Sequence, residues 1–210
     1  MHINKHYHWL LLVIISIVAN GCSTLPANIY ERTNHTYNAD QISRIEHWQA
    51  KGKLGFKSPD GGGSASVTWL QANETYHITF RGPFLSGTTV VRGDHHMAEI
   101  QQNNTSTQLP PSELASQVIG LPIPIDQLHY WLKGLSAPQG DQISDVRYYL
   151  DGSLAGFMQS QWQLSFLAYQ DTEMGRLPRK IIAEKGELNL KLVITKWNFL
   201  KIEKDVKQWR

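Results

Sequence analysis

Cysteine has the widest chemistry of any residue type in this chain, and it occurs once, at Cys22. A single thiol forms no internal disulfide and leaves no partner for a thiol or thiolate-metal site. The sequence also lacks Gly-x-Ser-x-Gly and His-Glu-x-x-His, the spacings that present a serine nucleophile or a zinc-binding pair. His95 and His96 are adjacent, so on a strand they point to opposite faces and do not share one ion. We therefore expect no catalytic residue, no metal site, no cofactor and no enzyme activity.

The residues before Cys22 have the three-part layout of an export signal. An apolar run of about 11 residues, from Trp9 to Ala19, follows a short front end with one lysine. The run is shorter than the roughly 20 residues that span a bilayer. A cysteine directly after Gly21 resembles the bacterial lipoprotein cleavage site, where the thiol is acylated and the cysteine becomes the new N-terminus. We expect residues 1–21 to be a cleaved signal peptide and Cys22 to be lipidated; the alternative is an ordinary secreted protein.

The residue after Cys22 indicates to which of the two membranes the lipoprotein is anchored. Ser23 stands where an Asp would resemble the signal for inner-membrane retention, so we expect an outer-membrane anchor facing the periplasm. Residues 22–39 are polar and are predicted to form the acylated tether. Residues 199–210 mix both charges and are predicted to be a charged tail. With a formal net charge of +2 and scattered basic residues, the chain offers no nucleic-acid patch.

Between tether and tail, residues 40–198 are predicted to form one domain. Asp40 is predicted to cap a short helix through about Gln49. After that helix the apolar residues alternate along segments separated by short turns, which is typical of strands in an antiparallel meander. The pattern predicts a mainly β fold of about nine to eleven strands.

Two short helices interrupt the predicted meander. Ser112 is predicted to cap the first, through Ile119, and Asp126 to cap the second, through Lys133, which Gly134 ends. Two or three short helices beside an antiparallel sheet predict a lid across the mouth of an open, half-closed β-barrel.

Several short motifs follow one another in a specific order. They are Trp69, Gly82-Pro83-Phe84-Leu85-Ser86-Gly87, Gly120-Leu121-Pro122-Ile123-Pro124, Tyr130-Trp131-Leu132-Lys133-Gly134, Trp162-Gln163-Leu164, Leu177-Pro178-Arg179 and Trp197. This order resembles the LolB family of outer-membrane lipoprotein receptors, from the signal through about Trp197. The resemblance implies an open β-barrel with an apolar cavity. It also implies that the protein accepts acylated lipoproteins from the periplasmic carrier LolA and inserts them into the inner leaflet of the outer membrane, as a monomer and without ATP.

An acyl chain crossing water must be shielded along its length, because each methylene is worth about 0.8 kcal/mol when buried. We expect one parity of the strands and the inner face of the lid to line the acyl-chain cavity. The candidates are Leu54, Phe56, Val67, Trp69, Ile78, Phe80, Trp131, Phe166 and Ile194. The same apolar pattern is equally consistent with an ordinary packed core.

Phe84 and Leu85 stand at a predicted turn tip, between Gly82-Pro83 and Ser86-Gly87. Apolar residues exposed at a tip usually meet a partner or a membrane. By resemblance, LolB carries at this place a protruding loop whose apolar residue after a proline assists membrane insertion, and Phe84 matches that position. The alternative is that the loop folds back and buries both side chains.

Two other functions stay open at this point. One is a lipocalin-like carrier or sensor of a small free lipid, which would use the same cavity. The other is a hydrolase whose site is assembled from scattered residues. Binding of triacylated and deacylated lipoprotein distinguishes the first expectation from both.

Overall fold

The structure is a computed structural model that describes residues 37–82, 87–119 and 123–200. The described residues form eleven strands and three short helices. The helices are α1 (Ala39–Ser43), α2 (Pro111–Ile119) and α3 (Ile125–Trp131). The strands are β1 (His47–Ser58), β2 (Gly61–Ala72), β3 (Thr75–Gly82), β4 (Gly87–Gly93), β5 (Ala98–Gln102), β6 (Thr105–Leu109), β7 (Ser144–Tyr148), β8 (Leu154–Gln159), β9 (Trp162–Thr172), β10 (Gly175–Lys185) and β11 (Leu188–Phe199). None of the helices in these ranges has the length and apolar character needed to cross a membrane.

All eleven strands belong to one antiparallel sheet in the order β6-β5-β4-β3-β2-β1-β11-β10-β9-β8-β7. Neighbours in the sheet are neighbours in sequence except at its centre, where β1 pairs with β11. In the part of the chain that the structure describes, β6 and β7 are the two edges and do not pair with each other, so the sheet is unclosed. The predicted mainly β, open antiparallel fold of nine to eleven strands is confirmed.

One face of the sheet carries the hydrophobic core. In β9, Trp162, Leu164 and Phe166 are fully buried and alternate with less buried polar residues. In β2, the buried residues Val67 and Trp69 follow the same period of two. The inner face of the sheet is therefore apolar along these strands.

The first helix is shorter than the sequence predicts. Asn38, not Asp40, is the N-cap, because its Oδ1 accepts a hydrogen bond of 3.0 Å from the Gln41 backbone N–H. The helix ends at Ser43, and Trp48 lies in β1. The prediction through Gln49 is wrong because β1 can pair on both sides, with β2 and β11, and these two ladders outweigh the helical spacing of the buried side chains.

The other two helices begin two residues earlier than predicted, since caps at Ser112 and Asp126 would place their first helical residues at Glu113 and Gln127. Pro111 opens α2 and Ile125 opens α3. In α3 the N-cap is Pro124, whose carbonyl accepts hydrogen bonds from the backbone N–H groups of Gln127 and Leu128, each 3.0 Å long. Proline has no N–H to leave unsatisfied at such a position. Asp126 therefore lies in the first turn, where its charge complements the helix dipole.

Candidate functional site

The inner face of the sheet and helix α3 enclose an apolar cavity of about 80 Å³. Its wall is almost wholly apolar, and seven of the nine predicted lining residues belong to it. These are Leu54, Val67, Trp69, Ile78, Phe80 and Ile194 from the strands, and Trp131 from α3. The structure thus brings residues from β1, β2, β3, β11 and α3 around one space. That these residues bind an acyl chain stays a prediction.

Phe56 and Phe166 are the two predicted lining residues that do not line the cavity. Phe56 is two residues after Leu54, near the end of β1, so both side chains point to the same face of the sheet. Phe56 is half-buried against the core. Phe166 is fully buried, with its ring centroid 5.8 Å from that of Phe157 and 6.3 Å from that of Tyr169. Both have the expected parity, but neighbouring rings fill the space in front of Phe166.

The sequence prediction omitted part of the wall. The omitted residues on the strands are Ala50, Lys51, Gly52, Leu164, Ile181, Ala183, Leu190 and Leu192. Those in or next to α3 are Ile123, Ile125, Leu128 and Leu132. The period-two pattern of β11 contained a signal for Leu190 and Leu192, because both share the parity of Ile194. Ala50, Gly52 and Ala183 gave no signal, since residues this small do not stand out in an apolar pattern.

Gly52 shows how closely two strands approach at the cavity. The β1–β11 register shifts between Lys51 and Gly52, which marks an irregularity in the ladder. A Cβ at Gly52 would lie 2.3 Å from the backbone oxygen of Val193, which is far inside van der Waals contact. Glycine is required there because any side chain would push β11 away from the wall.

Helix α3 presents two different faces. Ile125, Leu128 and Leu132 recur at spacings of three and four, and they line the apolar cavity. Asp126, His129, Tyr130 and Lys133 have the same spacing on an adjacent face and line a separate polar depression of about 1020 Å³. One short helix therefore separates an apolar space from a polar one. The residues named on both faces are half-buried or buried.

A buried glutamine fixes the end of α3. Gln159 is 3 % exposed, and its Oε1 accepts hydrogen bonds from Trp131 Nε1 (2.8 Å) and from the Ala137 backbone N–H (2.9 Å). Its Nε2 donates to the backbone oxygens of Ala137 (2.8 Å) and Asp141 (3.0 Å). Because all four bonds are buried or partly buried, Gln159 holds Trp131 in the cavity wall.

The turn after α3 is held on its other side. Gly134 has φ +78°, a left-handed conformation that favours glycine, but α3 ends at Trp131 and not at the predicted Lys133. Its backbone oxygen accepts a hydrogen bond of 2.9 Å from Tyr37 Oη. The Tyr37 ring packs edge-on against Tyr169, with centroids 6.1 Å apart. Tyr37, the first residue that the structure describes, thus contacts the domain although it lies within the stretch that we predicted as tether.

Two titratable groups on α3 are strongly affected by burial. Burial, together with the nearby Lys133 ammonium, lowers the pKa of His129 to about 4. Burial also lowers the pKa of Lys133 to about 8, against the opposing effect of Glu46. Lys133 Nζ donates to the Ile45 backbone oxygen (3.1 Å) and lies 5.6 Å from the centre of the Tyr130 ring. These contacts join α3 to the start of β1.

Three predicted functional residues lie outside the described residues: Cys22, Phe84 and Leu85. Their assignments as lipidation site and membrane-insertion loop stay predictions. The charged stretch 201–210 also lies outside, since the description ends at Leu200. Within the described ranges, no group of three or more histidine, cysteine or acidic residues is arranged to hold a metal ion.

An unclosed antiparallel sheet around an apolar cavity, covered by short helices, defines a class of proteins that can hold an apolar ligand away from water. Residues 46–197 match the family model described as "Outer membrane lipoprotein LolB". The chain therefore belongs to the LolB family, and it is an outer-membrane lipoprotein. This confirms the resemblance in the sequence.

Curated relatives agree with the family over almost their whole length. "Outer-membrane lipoprotein LolB" of Marinobacter nauticus is 32% identical over 207 residues, covering 89% of this chain and 95% of the relative. The LolB proteins of Chromohalobacter salexigens and Pseudomonas fluorescens are 27% and 28% identical and cover 91% and 90% of this chain, and 90% and 95% of their own length.

Solved structures show the same fold at low sequence identity. A putative outer-membrane lipoprotein-sorting protein domain from Vibrio parahaemolyticus has a TM-score of 0.55 at 7% identity, covering 81% of this chain and 97% of that one. A LolA superfamily protein from Nitrosomonas europaea has a TM-score of 0.52 at 9% identity, with 80% and 94% covered. At these identities the similarity concerns the fold alone.

Proposed function

We propose that this protein is the receptor that accepts acylated lipoproteins from the periplasmic carrier LolA and inserts them into the inner leaflet of the outer membrane. In this proposal it acts as a monomer anchored by acyl groups on Cys22, uses no cofactor or ATP and catalyses no reaction. The observation that carries the proposal is the apolar cavity inside the sheet of a LolB-family chain.

The free energy of acyl-chain burial explains why such a receptor needs no ATP. Each methylene moved out of water is worth about 0.8 kcal/mol, so a lipoprotein with several long chains loses tens of kcal/mol if it is exposed. Transfer from one apolar cavity to another and then to a bilayer avoids that exposure at each stage. A small preference at each step is enough to drive the cargo toward the membrane.

The cavity must widen to accept a long chain. Its volume is about 80 Å³, whereas a cavity of about 150 Å³ in another protein holds a single benzene ring. Helix α3 is the part of the wall that does not belong to the sheet ladders, and it contributes Ile125, Leu128 and Trp131 to the cavity. We propose that the acyl chain enters by moving α3 away from the inner face of β1–β3.

The test is transfer of a triacylated lipoprotein from purified LolA to the purified mature chain, with no nucleotide in the buffer. We expect the acylated cargo to move to the receptor and then to liposomes. The same lipoprotein with its acyl chains removed should not bind.

Three outcomes would contradict the proposal. Equal binding of acylated and deacylated cargo would exclude the cavity as the binding site. Binding of free fatty acid or phospholipid but not of acylated protein would favour the lipocalin-like carrier. A strict requirement for ATP would contradict transfer that is driven by apolar burial alone.

A further inference from the structure

The polar depression on the second face of α3 adjoins the apolar cavity along three neighbouring strands. Its wall includes Trp48 of β1, Gln71 of β2 and Tyr76 of β3. Two residues away on each strand, Ala50, Trp69 and Ile78 line the cavity. Residues two apart point to the same face and are on the order of 7 Å apart. The depression and the cavity are therefore consecutive parts of one inner surface.

An aromatic belt of Trp48, Trp69 and Tyr76 marks the boundary. The ring centroids are 6.1 Å apart between Trp48 and Trp69, and 6.3 Å apart between Trp69 and Tyr76. Each of these side chains combines an apolar ring with one polar atom, the combination that suits a border between apolar and polar surroundings. Among these three polar atoms, only Trp69 Nε1 has a hydrogen-bond partner within the described residues, because it donates to Gln71 Oε1 at 2.9 Å.

The other two polar atoms of the belt have no hydrogen-bond partner in the described part of the chain. These are Trp48 Nε1, in a side chain that is 0 % exposed, and Tyr76 Oη, in one that is 7 % exposed. A buried polar atom without a partner destabilises the folded protein. Trp48 and Tyr76 both line the depression, and both atoms can donate a hydrogen bond, although neighbouring atoms cover each of them in this structure. A carbonyl oxygen of a bound molecule would satisfy them.

The charged groups of the depression favour one sign of ligand. Glu46, Glu74 and Asp126 line it with carboxylates, and Lys133 supplies one ammonium. The Lys133 ammonium is already engaged, because it donates to the Ile45 backbone oxygen.

Three histidines also line the depression: His47, His95 and His129. His129, with its lowered pKa, is neutral at pH 7, and His95 Nδ1 lies 3.4 Å from Glu74 Oε2. The carboxylates thus outnumber the fixed cation, which disfavours an anionic ligand.

We propose that this depression binds the polar end of the acylated cargo. The ester and amide carbonyls of an acylated cysteine lie where apolar chains meet the polypeptide, so they accept from the aromatic belt while the chains occupy the cavity. The first residues of the cargo polypeptide, when they are uncharged or cationic, then lie among the carboxylates. This site rests on the proposed function, and it adds a charge preference that the cavity alone does not provide.

The charge preference is tested with two synthetic peptides whose N-terminal cysteine carries three palmitoyl chains. One continues with serine and lysines and the other with serine and glutamates. In about 0.15 M salt, we expect the purified mature chain to bind the cationic peptide about three to ten times more tightly.

Matched variants locate the preference. The double variant Glu46→Gln/Asp126→Asn should bind the two peptides almost equally. The double variant Asp60→Asn/Glu187→Gln removes the same charges from exposed turns at the other end of the sheet and should keep the wild-type ratio.

The aromatic belt is tested by Tyr76→Phe, which removes only the hydroxyl group. We expect the affinity for the cationic acylated peptide to fall about threefold or more. The free energy of unfolding should stay the same or rise, because the lost group has no partner among the described residues. A purely structural role would change the two measurements in the same direction.

The outcomes distinguish a failure of the proposed binding in the depression from a failure of the proposed receptor function. If both acylated peptides bind equally and the variants change nothing, the proposal that the depression binds the polar end of the cargo is wrong, whereas the proposed binding of acyl chains in the cavity is not contradicted. If neither acylated peptide binds, the receptor function itself is contradicted, and so is the proposed binding in the depression.

Discussion

Ala183 contributes a single methyl group to the cavity wall, and it therefore reports on whether the space in front of it is filled. We expect Ala183→Leu to leave the free energy of unfolding unchanged or to raise it by about 1 kcal/mol, because the added carbons enter an apolar cavity. Urea unfolding measures this change. The same variant should bind acylated cargo more weakly, since the new side chain occupies the binding space.

Ala98→Leu is the matched control. Ala98 is 1 % exposed and does not line the cavity, and a Cβ at Gly93 opposite would lie 2.9 Å from its own Cβ. We expect this variant to lose about 1–3 kcal/mol by overpacking. An equal loss for Ala183→Leu would mean that the inner face is packed shut.

Phe84 and Leu85 belong to the loop predicted to enter the membrane. We expect Phe84→Glu and Leu85→Glu to keep binding of acylated cargo but to block its delivery to liposomes, because a carboxylate at the tip opposes insertion into an apolar phase. Binding and liposome transfer are measured on the same preparation. Normal delivery by both variants would show that the tip assignment is wrong.

His129 predicts a pH dependence of stability. Its folded-state pKa is about 4, below the value near 6.5 of the unfolded chain, so the unfolded chain binds more protons between these values. Stability is therefore lost as the pH falls from about 6.5 to about 4. Because the side chain is only half-buried, we expect about 1–2 kcal/mol.

The measurement is urea unfolding at pH 7 and pH 4.5 for the wild type and His129→Gln. The loss on acidification should be smaller in the variant by that amount. An identical loss in both proteins would mean that His129 does not keep its lowered pKa.

For single residues, the sequence indicates to which face of the sheet a side chain points but not whether other side chains fill the space in front of it. The period of two correctly orients Val67, Phe80 and Phe166 toward the inner face. Only the first two reach the cavity, because Phe157 and Tyr169 pack against Phe166. Parity is a property of the local backbone, whereas an empty space depends on residues far apart in sequence.

Helix α3 is the element on which both faces of the site depend. Its end is held by Gln159, which joins Trp131 and Ala137 through buried hydrogen bonds. We expect Gln159→Leu to lower the free energy of unfolding by about 2–4 kcal/mol, because the Trp131 and Ala137 N–H groups lose their acceptor. Amide hydrogen exchange should become faster in α3 and in the turn that follows it.

Gln163→Leu controls for the loss of a glutamine. Gln163 is half-buried, and among the described residues its Nε2 has two long contacts, 3.3 Å to the Phe157 backbone oxygen and 3.4 Å to the Leu164 backbone oxygen. We expect a loss below about 1 kcal/mol and no change in exchange at α3. Unchanged exchange in the Gln159 variant would contradict its role in holding the helix.

The elements differ in how well local sequence predicts them. The strands of the meander follow a clear period and short turns, so their existence could be predicted. The helix starts were less accurate, since proline carbonyls cap α2 and α3 where Ser112 and Asp126 had the typical capping side chains. Trp48 continues the three-residue spacing of Ile42 and Ile45, which is typical of a helix, yet it lies in a strand because β1 pairs with a strand on each side.

The whole molecule is organised by one long-range pairing. β1 and β11 join the two halves of the meander, and their residues are more than a hundred positions apart in sequence. No local pattern predicts that pair, although the short helices beside the predicted sheet and the resemblance to LolB both indicated an open barrel. The polar depression was not predicted at all, because its residues come from turns, strand ends and one helix face that are far apart in sequence and form no motif of their own.

The central claim is that acyl chains enter the space between the sheet and α3. The most direct test is a triacylated peptide with a photoreactive group near the end of one chain, crosslinked to the purified mature chain and mapped by mass spectrometry. We predict crosslinks to cavity residues such as Val67, Ile78 and Leu128. Crosslinks confined to exposed apolar side chains such as Leu150 and Leu167, with none in the cavity, would contradict the account.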